Sequence, residues 1–319
     1  MRTGAATGHR GYFHEAVYYS SDDELLAVLV PFLLGGAAAG EPTIVALGER
    51  NAALVRSALP AGAPVRYAPG SAMYARPAAA IRSYRRLLAG HIADGAAQIR
   101  IIGELPAAAF RGTWDSWIRY ESAINHAYDD FPLWSMCAYD RRTTPNARLH
   151  DVARTHPRTA RPDGSHRVSE PYTEPEVFLT EPRVMVSDPV QHTTPVAELT
   201  DPGPALARQV VRAADPGSVP PAEVEDLVVA VSEAVTNAML YGRPPVLMRV
   251  WSGGDRLLVT VSDTGTGPKD PFAGLLPASD SDSAVGGRGL WITHQSVNHV
   301  STARSPDGYT IRMVAGNPH

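Results

Sequence analysis

The sequence predicts two domains of different class: an α/β domain with a mainly parallel sheet, then an α+β sandwich. Three observations carry this. A chain of 319 residues exceeds what most single cores serve. Up to about residue 150, short apolar strands alternate with helical segments, whereas beyond about 185 the strands come in hairpins. Between the two styles the chain turns polar and rich in proline. The expected boundaries are 1–160 for the first domain, 161–184 for a linker and 185–319 for the second.

In the first half "AVYYS", "PTIVALG", "IRIIGEL" and "LWSMCAYD" read as strands, rich in branched and aromatic residues. Between them "DDELLAVLVPFLLGG", "RNAALVRSAL", "AAAIRSYRRLLAGHIAD" and "TWDSWIRYESAINHAYDD" carry helical spacing, several opening on a capping residue. Strands apolar on both faces, joined by helical crossovers, imply a parallel sheet covered on both sides. In the second half "PALARQVVRAA" and "VVAVSEAVTNAMLYG" read as helices. "PVLMRVWSG" and "DRLLVTVSD" form a hairpin turned at "SGGD". A long Gly/Pro/Ser/Asp-rich stretch, a helix at "GRGLWITHQSV" and a last strand pair, "HVSTARS" and "YTIRMVA", complete it. Helices on one side of a mixed, mainly antiparallel sheet make the sandwich.

Composition bounds the function. The content is 44% apolar and 19% charged, that of a folded globular chain. A net charge of −4 and scattered arginines argue against direct nucleic-acid binding through phosphates. The one cysteine, Cys137, allows no internal disulfide and reads as a structural thiol in a buried strand. The N-terminus lacks a signal-peptide core, and the longest apolar run is broken by Pro31 and two glycines. A cytoplasmic protein without a membrane segment is expected. The 11 histidines show no tight metal-ligand spacing, and His294 and His299 read as surface or packing residues.

Glu233 and Asn237 stand one turn apart on an otherwise apolar helix, so both point the same way, with Asp226 and Thr236 near that face. "VSDTGTG" then ends a strand on Asp263 and follows it with Gly265 and Gly267. Such glycines let the backbone approach a flat ligand, and the carboxylate can accept a hydrogen bond from an exocyclic amine. "GGRGLW" places Gly286, Gly287 and Gly289, followed by Leu290, at a helix start, where free N–H groups suit phosphate. Neither a P-loop nor a dinucleotide fingerprint is present.

In this order the three motifs resemble the GHKL ATPase domain of gyrase, Hsp90, histidine kinases and MutL, over about 185–319. The closest resemblance within it is to RsbW-type anti-sigma serine kinases and RsbA-like regulators. The resemblance implies ATP and Mg²⁺ as cofactors, with Asn237 ligating the metal and Glu233 as general base. Asp263 would bind the adenine amine with Thr310 beside it. Gly265 and Gly267 would shape the base pocket, and Gly286, Gly287, Gly289 and Leu290 would form the phosphate end. The stretch 268–285 would be a lid. Where such relatives often carry His, this chain has Tyr241.

Residues about 12–155 resemble the MEDS sensory domain, related in fold to RecA-like ATPases, through "FHEAVYYSSDDELLAVLVPFLLGGAAAGEP", "WIRYESAINHAYDDFPLWSMCAYD" and "RTHP". "SSDDELL" stands where a P-loop would, and its acidic residues would repel phosphate, so no hydrolysis is expected there. His14, Trp114, Trp117, Tyr120, Trp134 and Tyr139 are candidates for a small-molecule pocket or for core packing. A histidine autokinase would need a phosphoacceptor on a dimerising helix; His14 leads into a strand without heptads. Together the resemblances imply a regulator that sequesters a sigma factor, phosphorylates a Ser or Thr of a STAS-domain antagonist and forms a homodimer. A non-catalytic nucleotide-binding or degenerate sequestration module is the alternative.

Overall fold

A computed structural model describes residues 3–68, 74, 76–110, 112–277 and 288–317. The chain divides into two compact units, built chiefly from residues up to Phe178 and from Leu179 onward.

The first unit is laid on strands β1 (Phe13–Tyr19), β2 (Thr43–Ala46), β3 (Arg66–Tyr67), β4 (Ile99–Gly103), β5 (Leu133–Asp140), β6 (Arg158–Ala160) and β7 (His166–Val168). They lie in the order β3-β2-β4-β5-β1-β6-β7, and every pair is parallel except β6–β7. The mainly parallel sheet expected from the sequence is thus present, with an antiparallel hairpin on one edge. β2 and β4 are buried along their whole length, β1 and β5 at all but one residue each. This explains why they read as unbroken apolar runs. Helices α1 (Asp22–Ala38), α2 (Glu49–Ala58), α3 (Pro77–Ala93), α4 (Trp114–Ala127) and α5 (Asn146–Thr155) connect the strands. α1 shows how local chemistry sets a boundary: Ser21 Oγ accepts from the Glu24 N–H while Glu24 Oε2 accepts from the Ser20 N–H. Within the stretch read as a linker, β7 pairs with β6, and a short helix α6 (Pro175–Phe178) buries Phe178 completely.

The second unit has strands β8 (Ala197–Thr200), β9 (Leu247–Gly253), β10 (Arg256–Asp263), β11 (His299–Ser305) and β12 (Gly308–Gly316) in the order β11-β12-β10-β9-β8. All four pairings are antiparallel, where a mixed sheet was expected. Helices α7 (Pro204–Ala213), α8 (Pro221–Tyr241) and α9 (Arg288–Ser296) belong to the same unit. Val224, Leu227, Val228, Val231 and Val235 of α8 share one core with Met248, Val250, Val259, Val261, Ile311 and Met313 of the sheet. The opposite face carries a smaller cluster of Trp251, Leu258 and Val314, with Val190 against it. Among the described residues no helix is long and apolar enough to cross a membrane.

Candidate functional site

α8 is the backbone of the site. Its buried residues recur at helical spacing and fix its rotation against the sheet. That leaves Glu233 and Asn237 half-buried, and neither side chain hydrogen-bonds another described residue. The start of α9 closes on them. A Cβ on Gly289 would lie 2.5 Å from Glu233 Oε2 and 3.2 Å from Asn237 Nδ2, so any side chain there would displace these two polar groups. The first turn of α9 carries no acidic residue of its own, and its N–H groups are of the kind that suits an anion.

The other end of the site is built at the end of β10. Asp263 Oδ1 accepts from the Gly265 N–H at 2.7 Å and from the Arg243 N–H at 3.1 Å. Both bonds fall on one oxygen, and no described residue donates to Oδ2. The buried carboxylate is therefore oriented with one acceptor uncommitted. Gly242, at the end of α8, also abuts it: a Cβ there would sit 2.5 Å from Asp263 Cγ. Asn237 and Gly242 are five residues apart, about 7.5 Å along the helix axis. A carboxylate suited to an amine and a phosphate-compatible helix start are thus held at either end of one helical segment.

The two glycines after Asp263 divide their work. Gly265 supplies an N–H to the carboxylate. Gly267 has φ +73°, and a Cβ on it would meet the Tyr309 ring at 2.4 Å, so it serves the turn and its packing. Leu290 packs against the core. Thr310 departs from expectation. Its Oγ1 meets Ser262 Oγ at 2.8 Å across the β10–β12 register, and strand alternation puts both on the face opposite Asp263. Gly286 and Gly287 lie outside the described residues, as does 278–285 of the expected lid. The lid's first part is a packed turn, with Phe272 and Leu275 buried and Gly274 against the His294 ring. Tyr241 is exposed.

Residues 198–315 match the family model of the histidine kinase-like ATPase domain, and residues 13–157 that of MEDS, the methanogen/methylotroph DcmR sensory domain. The chain is a MEDS domain followed by a histidine kinase-like ATPase domain. No curated protein matches it.

The MEDS domain has a cavity of about 900 Å³ at the carboxyl ends of β2 to β5, the position where open α/β sheets bind ligands. Tyr67, Tyr74, Leu105 and Phe110 supply apolar wall, and Arg56, Glu104 and Asp140 supply charge. Glu104 is held by the Gly48 N–H and the Asn51 amide, and burial raises its carboxyl above the usual range. The aromatics singled out from sequence do not line it: Trp117, Tyr120, Trp134 and Tyr139 are packed in the core, as is His14. Of the lining, Leu47, Gly48, Ala68, Glu104 and Leu105 sit just past strand ends, a place the pairing order reveals and the sequence does not.

Proposed function

We propose that the ATPase domain binds ATP with Mg²⁺ and transfers the γ-phosphoryl group to a Ser or Thr hydroxyl of a STAS-domain antagonist. In its other state it would sequester a sigma factor, and the MEDS domain would bias the choice by binding a small molecule. The observation that carries the reading is the meeting of Gly289 with Glu233 and Asn237 at one end of a helical segment whose other end abuts Asp263.

The residues fit such a ligand. Asp263 Oδ2 would accept from the adenine amine, since Oδ1 is already committed. The open start of α9 would hold phosphate oxygens. Asn237 would offer its side-chain oxygen to Mg²⁺, a sparse protein contribution that suits this ion. When bound, Mg²⁺ would neutralise charge on the phosphates. Glu233 would take the proton of the acceptor hydroxyl as its oxygen bonds to the γ-phosphorus; the bond to the β,γ-bridging oxygen breaks and ADP leaves. The cavity past β2 to β5 supports a mixed apolar and charged signal molecule for the MEDS domain.

The test uses the full chain, labelled ATP and a candidate STAS protein. Transfer should fall at least about 100-fold in Glu233→Ala with nucleotide affinity kept, and Asn237→Ala should lose Mg²⁺-dependent affinity. Nucleotide binding without transfer, together with sigma-factor capture, would instead support the sequestration module. Absence of nucleotide binding would overturn the kinase reading and leave only a degenerate sequestration module, which absence of sigma-factor capture would overturn in turn.

A further inference from the structure

The MEDS domain brings together four side chains that sequence spacing did not connect. His14 of β1, Glu121 of α4, Cys137 of β5 and His156, just after α5, meet in its interior, with their ligand atoms all within 4.8 Å of one another. Spacing along the chain, which shows no tight metal-ligand pattern among the histidines, does not reveal this group. His14 Nε2 lies 3.4 Å from Cys137 Sγ and 3.7 Å from Glu121 Oε2, and His156 Nε2 lies 3.5 Å from the same oxygen. Cys137 Sγ stands 3.8 Å from it. The nitrogen–oxygen separations are long for hydrogen bonds, whereas those to sulfur are within a thiol's reach. They are close to the edges of a tetrahedron around one ion: usual zinc–nitrogen, zinc–oxygen and zinc–sulfur lengths give edges of about 3.3–3.6 Å.

The surrounding bonds fix which atoms face inward. Asn125 Nδ2 donates to the carbonyls of Glu121, Ser122 and Thr155, so its Oδ1 is the atom 2.9 Å from His14 Nδ1. That nitrogen therefore carries the proton and Nε2 the lone pair. His156 Nδ1 lies 2.9 Å from the Val152 carbonyl, which can only accept, so its Nε2 also presents a lone pair. His156 is fully buried, and this nitrogen has no hydrogen-bond partner. Two imidazole lone pairs thus face a carboxyl and a thiol, groups that can each give up one proton. A dication could take the place of those two protons: with the thiol and carboxyl ionised, the site stays neutral overall. An imidazole with its other N–H on a carbonyl is also the usual outer support of a metal-binding histidine.

We propose that His14, Glu121, Cys137 and His156 bind one divalent transition-metal ion, zinc by the chemistry of the donors, inside the MEDS domain. Four protein ligands leave no open position, so the site is structural: it ties β1, β5, α4 and the chain beyond α5 together. It is independent of the nucleotide reading.

The test strips the full-length protein with a chelator and reloads it with Co²⁺ or Zn²⁺. Expected are one tightly held ion per chain, tetrahedral cobalt absorption and a thiolate-to-cobalt charge-transfer band. Cys137→Ser should remove the charge-transfer band while keeping the tetrahedral bands. Asn125→Leu, which withdraws support from His14, should weaken binding about 10- to 100-fold. Asn237→Ala should leave the spectrum unchanged, separating this ion from any magnesium at the ATPase site. Should variants fold poorly, X-ray absorption of the wild-type zinc form reads the donors directly. Two nitrogens, one oxygen and one sulfur are expected. A different donor set, no retained metal, or a charge-transfer band that survives Cys137→Ser would overturn the proposal.

Discussion

Asp263 illustrates what a single residue does at the nucleotide end. Its Oδ1 collects two backbone N–H groups, so it is a structural acceptor as well as a ligand candidate. Asp263→Ala should cost about 1–3 kcal/mol by leaving those donors unpaired, whereas Asp263→Asn keeps an oxygen there. In Asp263→Asn we expect near wild-type unfolding in urea but at least about tenfold weaker ATP binding by calorimetry. Equal affinity would remove Asp263 from base recognition. At this scale much of the site was readable in advance. Glu233 and Asn237 share a face because helical spacing is local, and the sequence carries local spacing directly. Thr310 was misplaced because its face depends on a register with β10. The quartet around Glu121 was missed for the same reason: its members come from four separate elements, and ligand spacing along a chain reports only local sites.

At the scale of elements, burial explains both successes and omissions. β1, β2, β4 and β5 were legible because they are apolar on both faces. β8 was not, since it is an edge strand of four residues with alternate exposure, and β3, β6 and β7 are shorter than four residues and partly exposed. One buried ion pair also links elements of the MEDS domain. Arg100 of β4 meets Glu41 at 2.5 Å, donates to the Phe32 carbonyl and lies over the Trp134 ring at 4.6 Å. Both partners are under 10% exposed, at 4% and 7%. Removing one strands the other, so Glu41→Ala should destabilise this domain by about 3–5 kcal/mol. The double variant Glu41→Leu with Arg100→Met should recover most of that in denaturant melts. A double variant as unstable as the single would mean that Arg100 acts through its other contacts.

Over the whole molecule, acidity should act through its buried histidines, and in the ATPase domain through His299. It lies on β11 with its ring buried, and burial first, then the positive charge of Arg312, lowers its pKa from 6.5 to about 3. The folded chain therefore refuses a proton that the unfolded chain takes up below pH 6.5. The associated stability is complete above 6.5 and declines as pH falls towards 3, by a few kcal/mol in total. Denaturant midpoints of the full chain should fall between pH 7 and 4.5, and His299→Leu should reduce the slope of the ATPase-domain transition. An unchanged slope would assign the acid sensitivity to other groups.

Finally, the two ends of the nucleotide cleft hang from one rod. Glu233 and Asn237 project from α8, and Gly242 at its tip braces Asp263. A stiff helix cannot rotate or slide at one end alone. Any influence that shifts it by a fraction of a turn would disturb base grip and phosphate grip in step. Tightness of holding and speed of reaction would then rise and fall together, so this axle offers a single throttle rather than two dials.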